Sequence, residues 1–333
     1  MGHFLRTLTI LLLLAASAEA GAIKHVIVIA MENKDASDIY GNANSAPYIN
    51  GELLVQGARA GNFIDPLPDG LIFKFLSEPH YVFMEAGTNK FASRTFRFDG
   101  DPSAKNLAVT SDHLVNQLEA GEGDPKQSWM TYQEGIGSGG LCPVASSGLY
   151  AAKHNPFVFF ADVAGNPPSP SSQRCTDHTR DLSQLTADLT AGSVAKYVFI
   201  SPNLCNDMHG DTGCPAYVKA LCAKVRGDPR CAVKAGDTIT FGDAYLKATL
   251  PPLIDWAKAN AAAIFIVWDE GNSDTKIPFI ALGAGVKPNY RSNVTLDHGS
   301  IIRTVETIFS MPALKTVEHT NDFSDFFKPG SYP

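Results

Sequence analysis

The chain has 333 residues, with 27 Lys or Arg against 34 Asp or Glu, so its formal net charge is −7. The sequence has no run of Lys or Arg, which argues against a nucleic-acid-binding surface, because phosphate contacts need clustered cations. The length is too great for a minimal module and suits one large α/β domain with insertions.

The first twenty residues have the features of a signal peptide. Arg6 supplies the positive start, residues 8–16 are an apolar run, and residues 18–20 form a small-x-small cleavage site. A membrane anchor is the alternative, but this run is shorter than the roughly 20 apolar residues that a spanning helix needs. We therefore expect a secreted or periplasmic protein without a stable membrane span, whose mature chain begins near Gly21.

Four short, β-branched apolar runs predict strands that are buried on both faces of a parallel sheet. These runs are residues 25–30, 196–201, 263–268 and 278–283. Helical patterns occupy residues 181–189, 242–259 (broken by Pro251 and Pro252) and 299–309. The alternation of strands and helices predicts an α/β fold, with a central, mostly parallel sheet flanked by helices.

The segment 62–172 is rich in Gly, Pro, Ser and Asn and has weaker periodicity. This composition is typical of loops, so we expect insertions around a site within one domain rather than a second domain. Residues 165–172 are the best candidate for a surface linker.

All six cysteines lie after the predicted signal peptide, and an even number in an oxidising compartment favours three disulfides. Fifteen pairings are possible. The short intervals between Cys205 and Cys214 and between Cys222 and Cys231 suggest local loops. A zinc site is the alternative, but the sequence has no CxxC pair.

Polar residues follow three of the predicted strands, and in open α/β sheets ligands bind beyond the carboxyl ends of strands. In chain order these residues are Glu32 and Asn33, Asp207 and His209, and Asp269 and Glu270. A single acidic residue there is more often a helix cap or a solvated turn. Carboxylates that converge on one sheet edge repel each other, and a bound cation commonly offsets that repulsion. The three strand ends together predict a shared metal site.

His298 directly precedes the amphipathic pattern of residues 299–309, whose apolar positions are expected to face the core. It is either a cap or surface residue, or a side chain at the helix mouth that contacts a metal or phosphate. The acidic strand ends favour the second interpretation.

Four segments resemble the signature segments of the phosphoesterase family that contains bacterial phospholipases C and acid phosphatases, within the alkaline phosphatase superfamily. The segments are residues 31–33 (MEN), 202–209 (PNLCNDMH), 268–271 (WDEG) and 298–306 (HGSIIRTVE). The resemblance extends from residue 25 to about residue 309 and implies an alkaline-phosphatase-like fold. It also implies that residues 21–333 form one phosphoesterase catalytic domain.

The resemblance implies a hydroxyl or activated water that attacks phosphorus. Residues 76–87 are similar to the segment that carries a nucleophilic Ser or Thr, which makes Ser77 the candidate, with Thr88 and Ser147 in reserve. His80 stands where the family often has an Asn that binds phosphate, and an imidazole could donate the same hydrogen bond.

Residues 150–157 also resemble a family segment and would bring His154 and Asn155 to the phosphate or leaving group as donors or general acid. A structural turn is the equally weighted alternative, because Asn-Pro is a strong turn former.

By the same resemblance, one cation would lie among Glu32, Asn33, Ser77, Asp269 and Glu270, while Asp207, His209 and His298 would hold a second cation or bind phosphate. Carboxylates suit Mg²⁺, Ca²⁺ or Mn²⁺, and the His-containing set also suits Zn²⁺. Whether there are one or two ions stays open.

The predicted function is that of an acid-phosphatase-like phosphomonoesterase, which acts on a phosphorylated small molecule or a phospholipid headgroup. A phospholipase C type phosphodiesterase is the main alternative. A secreted, non-catalytic binding protein with the same fold is a further one.

Overall fold

The computed structural model describes residues 23–67, 75–121 and 123–333. The predicted signal peptide lies outside these residues. Eight strands of the described chain form one sheet: β1 (His25–Met31), β2 (Ala58–Ala60), β3 (Trp129–Gln133), β4 (Thr179–Asp181), β5 (Tyr197–Ser201), β6 (Ala262–Trp268), β7 (Phe279–Gly283) and β8 (Tyr290–Ser292).

Helices flank this sheet. Those of the described residues are α1 (Ala36–Ile39), α2 (Leu54–Gln56), α3 (Ser77–Ala86), α4 (Leu114–Ala120), α5 (Ala161–Ala164), α6 (Gln173–His178), α7 (Leu185–Ala191), α8 (Cys214–Lys224), α9 (Thr238–Ala259) and α10 (Gly299–Ile308). A π-helical turn (Ile49–Leu53) precedes α2, and short 3₁₀ turns occupy several loops. Among the described helices, none has both the length and the apolar character to cross a bilayer.

The strand order is β4-β3-β5-β1-β6-β7-β2-β8. Every neighbouring pair is parallel except the two that involve β7, which runs antiparallel to β6 and β2. The predicted α/β fold with a mostly parallel sheet is therefore confirmed. The four predicted strands correspond to β1, β5, β6 and β7, whose residues are almost all buried, as strands covered on both faces must be.

The segment 62–172 holds more regular structure than its composition predicts, because α3, α4, α5 and β3 lie within it. All five residues of β3 are buried, but Thr131 and Gln133 interrupt its apolar pattern. Gln133 Nε2 donates to Thr131 Oγ1 at 2.7 Å and to Ser201 Oγ at 3.1 Å. Because these buried polar residues hydrogen-bond to each other, they can lie in the core and interrupt the apolar run, so a hydrophobicity pattern does not reveal the strand.

Helix α9 passes through Pro251 and Pro252, where the sequence predicts a break. Both prolines are exposed, whereas the neighbouring residues Leu250 and Leu253 are buried in the core. Packing on both sides of the prolines therefore maintains a helix that local propensity disfavours.

The three predicted disulfides are present: Cys142–Cys175, Cys205–Cys214 and Cys222–Cys231. The two short pairs are the expected local loops. The loop closed by Cys205–Cys214 contains two predicted site residues, Asp207 and His209.

Candidate functional site

The candidate site lies where three neighbouring strands end. Strands β5, β1 and β6 are adjacent and parallel, so their carboxyl ends meet at one edge of the sheet. The Glu32 N–H donates to Asp207 O at 2.8 Å, and the Asp269 N–H donates to Met31 O at 3.0 Å. The main chain itself thus brings the predicted acidic residues together.

Glu32 is fully buried at the middle of this site. Its carboxylate oxygens accept hydrogen bonds from Ser77 Oγ at 3.2 Å and from the Tyr81 hydroxyl at 2.6 Å. Burial and the negative charge of Asp207 raise the pKa of Glu32 to about 8. A shift of this size means that the surrounding protein compensates the carboxylate charge poorly.

Ser77 is buried and lies between opposite charges. Lys153 Nζ donates to Ser77 Oγ at 3.3 Å and to Asp99 Oδ2 at 2.5 Å. Although burial opposes it, the charges of Asp99 and Glu32 raise the pKa of Lys153, so the ammonium group stays charged. The Ser77 hydroxyl therefore donates to a carboxylate and accepts from an ammonium.

Ser77 is also the first residue of α3, a helix with clear start and stop features. Pro79 lies in its first turn, where a missing N–H costs little. Gly87 ends it in the left-handed conformation, with φ of 64°, and donates its N–H to Phe83 O at 2.8 Å. The positive end of the helix dipole thus faces the Ser77 side chain.

Asp207, from the loop after β5, and His154, from the 3₁₀ turn Ala152–His154, lie close to Glu32. One ligand atom from each of these three residues lies within 4.8 Å of the other two. His154 Nε2 is 3.3 Å from Glu32 Oε1, and His154 Nδ1 is 3.5 Å from Asp207 Oδ2, but neither contact has hydrogen-bond geometry. Burial, above all, lowers the pKa of His154, so its imidazole is neutral.

His209 lies beside this group and is half-buried. Its N–H donates to Asp207 Oδ1 at 2.7 Å, and its Nδ1 donates to Gly210 O at 2.8 Å. Its ring centroid is 5.8 Å from that of His154. With the proton fixed on Nδ1, the Nε2 atom of a neutral His209 is the one that can accept a proton or bind a ligand.

Asp269 and Glu270 are both buried at the end of β6. Asp269 Oδ1 accepts the N–H groups of Asn33 at 3.1 Å and of Glu270 at 2.7 Å. Burial and the charge of Glu32 raise the pKa of Asp269, and burial and the charge of Asp269 raise that of Glu270. Burial, with a neighbouring carboxylate as the second cause, thus raises the pKa values of Glu32, Asp269 and Glu270.

His80 is fully buried, and both ring nitrogens have acceptors. Nε2 donates to Asp65 Oδ1 at 2.8 Å and Nδ1 donates to Leu76 O at 2.7 Å, while Glu270 Oε2 lies 3.3 Å from Nδ1. Although burial opposes it, Asp65 raises the pKa of His80, which favours an imidazolium. The phosphate contact expected of His80 stays a prediction.

His298 lies on the His80 side of the site, with ring centroids 6.0 Å apart. Its Nε2 donates to Trp268 O at 3.0 Å. Burial and the charge of His80 lower the pKa of His298 to about 4, so the ring is neutral. Among the described residues, the ligand atoms of His298, Asp207 and His209 do not all lie within 4.8 Å of one another. The second ligand set expected from the sequence is therefore not assembled at one point.

Three other predicted residues make contacts of a different kind. The Asn155 Nδ2 group lies 3.4 Å from the Tyr150 hydroxyl, in the core. Thr88 Oγ1 contacts the Lys90 main chain, and Ser147 is exposed. Of the three nucleophile candidates, Ser77 is the one that contacts a site carboxylate in the described chain.

Several site residues were missed from the sequence: Lys34, Asp65, Tyr81 and Lys153. Lys34 is buried beside Asn33 and Met208, two non-glycine residues with positive φ of 55° and 81°. Such strain is common at functional sites. Asp65 follows the apolar pair Phe63 and Ile64, which form isolated bridges to the sheet region. Asp65 thus directly follows an apolar run, as Glu32 and Asp269 do, but a run of two residues is too short to be recognised as a strand.

The sequence matches the model of the Phosphoesterase family over residues 75–312. The chain belongs to this family. It is 29% identical over 311 residues to the phosphatidylinositol-3-phosphatase of Mycobacterium tuberculosis, which covers 92% of this chain and 83% of that protein. It is 25% identical over 315 residues to a probable acid phosphatase of Kluyveromyces lactis, and spans 61% of that relative's length. The chain is thus a phosphoric ester hydrolase.

Solved structures with the same fold include the lipoteichoic acid synthase LtaP of Listeria monocytogenes, with a TM-score of 0.52, 12% identity and coverage of 94% of this chain and 77% of that one. A protein in the alkaline phosphatase superfamily from Vibrio parahaemolyticus aligns with a TM-score of 0.51 and 11% identity, over 89% and 69% of the two chains. At these identities the likeness shows the shared fold.

The donor set of this phosphoesterase fits a divalent cation. Buried atoms of the site that have no hydrogen-bond partner in the described structure include His154 Nε2, Asp207 Oδ2, Asp269 Oδ2 and Glu270 Oε2, together with Asp65 Oδ2 and His298 Nδ1. Native proteins rarely leave such groups unsatisfied, because each costs about 1–3 kcal/mol or more. Carboxylate oxygens and an imidazole nitrogen are also the usual ligands of divalent metals.

Proposed function

We propose that this phosphoesterase is a metal-dependent, acid-phosphatase-like phosphomonoesterase in which Ser77 attacks phosphorus. The observation that carries the proposal is the position of Ser77 Oγ, 3.2 Å from Glu32 Oε2 and 3.3 Å from Lys153 Nζ. A serine hydroxyl needs activation near neutral pH. The carboxylate accepts its proton, and the ammonium stabilises the oxyanion that remains.

In the proposed reaction, Ser77 Oγ forms a bond to phosphorus while the bond to the ester oxygen breaks. The departing oxygen takes a proton from Nε2 of a His209 imidazolium, which forms when this nitrogen, not engaged by the main chain, takes up a proton from solvent before the reaction. His154 and Asn155 come from the same family segment and are proposed as further donors near the phosphate. Water then hydrolyses the phosphoserine and releases phosphate.

The metal ligands are proposed in two overlapping sets. The first and more compact set consists of Glu32, Asp207 and His154. The second set is rich in carboxylates and consists of Glu32, Asn33, Asp269 and Glu270. His298 is a further ligand candidate, on the His80 side of the site. A bound divalent cation would polarise the phosphoryl oxygens and lower the pKa of the attacking hydroxyl. Mg²⁺, Ca²⁺ or Mn²⁺ suits the carboxylates, and Zn²⁺ suits the group with the imidazole.

The substrate is proposed to be a phosphorylated small molecule or a phospholipid headgroup. The mycobacterial relative is named a phosphatidylinositol-3-phosphatase, which supports a phospholipid headgroup as one of the two candidate substrates. Three disulfides in the described chain support secretion or periplasmic export.

The test uses the purified protein with p-nitrophenyl phosphate and bis-p-nitrophenyl phosphate, before and after chelation, with elemental analysis of the metal. We expect turnover of the monoester that chelation abolishes and a divalent ion restores. Preferred turnover of the diester would replace the proposal with a phospholipase C type activity. Turnover of neither substrate with any metal would leave the non-catalytic binding protein.

A further inference from the structure

A groove with positively charged walls lies at the β2–β8 side of the sheet. It consists of two cavities of about 410 and 290 Å³, both lined by Arg59 and Arg291, and the larger also by Lys276. No Asp or Glu is among the described residues that line either cavity. We call this the cationic groove. In a protein with more acidic than basic residues, it reverses the overall charge locally.

The two arginines of the cationic groove face each other across parallel strands. Arg59 and Arg291 are register partners in β2 and β8, so their side chains project from the same face of the sheet. Like charges that are directly opposite on neighbouring strands destabilise a sheet. Neither guanidinium has an ion pair or side-chain hydrogen bond with the described residues, so no carboxylate of the described chain offsets this repulsion.

Tyr40 and Gly61 lie against the two guanidinium groups. Arg59 lies over the Tyr40 ring, 4.9 Å from its centroid, and the Tyr40 hydroxyl is fixed by the main chain of Phe279 at 2.8 and 2.9 Å. Arg291 packs against Gly61, where an added Cβ would lie only 2.6 Å from Arg291 Nε. The absence of a side chain at Gly61 therefore makes room for the Arg291 guanidinium.

The cationic groove lies close to the catalytic centre. The chain runs from Asn33, in the centre, to Ala36, in the groove wall, in three residues, which span at most about 11 Å. Phe63 lines the groove and its ring centroid is 5.6 Å from that of His298. Because β2 and β8 run in the same direction as β1 and β6, their carboxyl ends lie at the same edge.

We propose that the cationic groove binds a second phosphate group of the substrate, so that preferred substrates carry an anionic phosphate besides the one that is hydrolysed. The proposal rests on the proposed function and specifies its substrate class. Guanidinium groups bind phosphate oxygens through paired, charge-assisted hydrogen bonds, and two of them converge here. A soluble bisphosphate and a phosphorylated lipid headgroup with its phosphodiester both offer this chemistry.

The test compares fructose 1,6-bisphosphate with fructose 6-phosphate as substrates of the wild type and of the Arg59→Gln/Arg291→Gln double variant. We expect the variant to raise KM for the bisphosphate by about tenfold or more, since each lost charged hydrogen bond weakens binding. The kcat and the KM for fructose 6-phosphate should stay unchanged. An unchanged KM for the bisphosphate would overturn the proposal.

Two further variants separate local recognition from general electrostatics. Lys224→Gln/Arg226→Gln removes the same charge from exposed positions outside the groove and should leave both KM values unchanged; an equal rise in this control would overturn the proposal. Gly61→Ala keeps all charges but displaces Arg291, and should raise KM for the bisphosphate alone. No effect of Gly61→Ala would contradict the arrangement proposed for Arg291.

Calorimetric titration with fructose 1,6-bisphosphate keeps the groove and the proposed function distinguishable. If the wild type hydrolyses no phosphate ester but binds the bisphosphate more tightly than the double variant does, the proposed function fails and phosphate binding by the cationic groove is supported. If the wild type and the double variant bind the bisphosphate equally, phosphate binding by the cationic groove is overturned as well. Sedimentation with phosphatidylserine-containing vesicles tests whether the second phosphate belongs to a lipid headgroup or to a soluble bisphosphate. Vesicle binding that the double variant loses supports a lipid headgroup, whereas loss of bisphosphate binding alone supports a soluble substrate.

Discussion

The ammonium group of Lys34 donates a hydrogen bond of 2.9 Å to the carbonyl oxygen of Met208. It donates a second, of 2.8 Å, to Asn33 O. Both acceptors belong to the residues with left-handed backbone conformations in the loops after β1 and β5. Lys34 therefore joins two strained loops and places a buried positive charge next to the site carboxylates.

Replacement of Lys34 by Met should destabilise the protein by about 2–5 kcal/mol, because buried carbonyls lose their donor and the carboxylates lose a cation. Urea unfolding measures the change, and kcat should fall as the loops relax. Lys24→Met, at an exposed position, is the matched control. A loss of stability no larger than that of the control would show that Lys34 does not hold the loops.

Ser77→Ala should lower kcat by at least about a thousandfold, since the proposed nucleophile is removed. The metal content and the thermal midpoint should stay close to those of the wild type. Ser147→Ala, in the exposed reserve candidate, should keep full activity. Residual activity of Ser77→Ala above a tenth of the wild-type value would exclude Ser77 as the nucleophile.

Lys153→Gln should lower kcat by about 10²-fold with a smaller change in KM, because the ammonium stabilises charge that develops on Ser77 Oγ during attack. Lys126, which forms an exposed ion pair with Asp177 at 2.9 Å, provides the control as Lys126→Gln. Steady-state kinetics of both variants with p-nitrophenyl phosphate makes the comparison. Equal kcat values would place Lys153 outside the reaction.

The metal-free protein should lose stability as pH rises. Burial and Asp207 raise the pKa of Glu32 from 4.5 to about 8, so between these values the folded state holds a proton that the unfolded state has released. The contribution of Glu32 to stability is then fully present below about pH 4.5 and is lost as pH rises to about 8, by at most about 1.4 kcal/mol per pH unit. Thermal midpoints measured in chelator from pH 5 to 8 should fall, and Glu32→Gln should flatten the slope.

The two short disulfides give a matched pair of variants, because each joins cysteines nine residues apart. Loop closure predicts a similar loss of about 2–3 kcal/mol for either. Removal of Cys205–Cys214 by double Ala substitution should also lower kcat, because Asp207 and His209 lie inside that loop. Removal of Cys222–Cys231 should spare kcat. Equal kcat losses would mean that the first disulfide has no particular role in positioning the site.

The sequence predicts those parts of the fold whose cause is local. Strands such as β1 and β6 are long apolar runs, and Glu32 and Asp269 directly follow them. The three-residue strands β2 and β8 carry too little pattern to be recognised. They are strands because their neighbours in the sheet supply the hydrogen bonds.

The same limit applies within the candidate site. The convergence of Glu32, Asp207 and Asp269 follows from strand adjacency, which an α/β pattern implies. Lys153 reaches Ser77 across 76 positions of the chain, and no local pattern reports such a contact. The roles of Asn155 and His298 stay predictions for the same reason, since they depend on which groups meet in three dimensions.

The hydrogen bonds that align Glu32 with Asp207 and Asp269 with Met31 use only main-chain atoms. These two main-chain contacts do not themselves depend on which side chains follow the strands. A carboxylate can be exchanged for an amide or an imidazole while its Cα stays in place, so substitutions here will alter ion preference and reactivity before they disturb the framework. One scaffold can thereby support a range of hydrolytic chemistries through changes at a handful of positions.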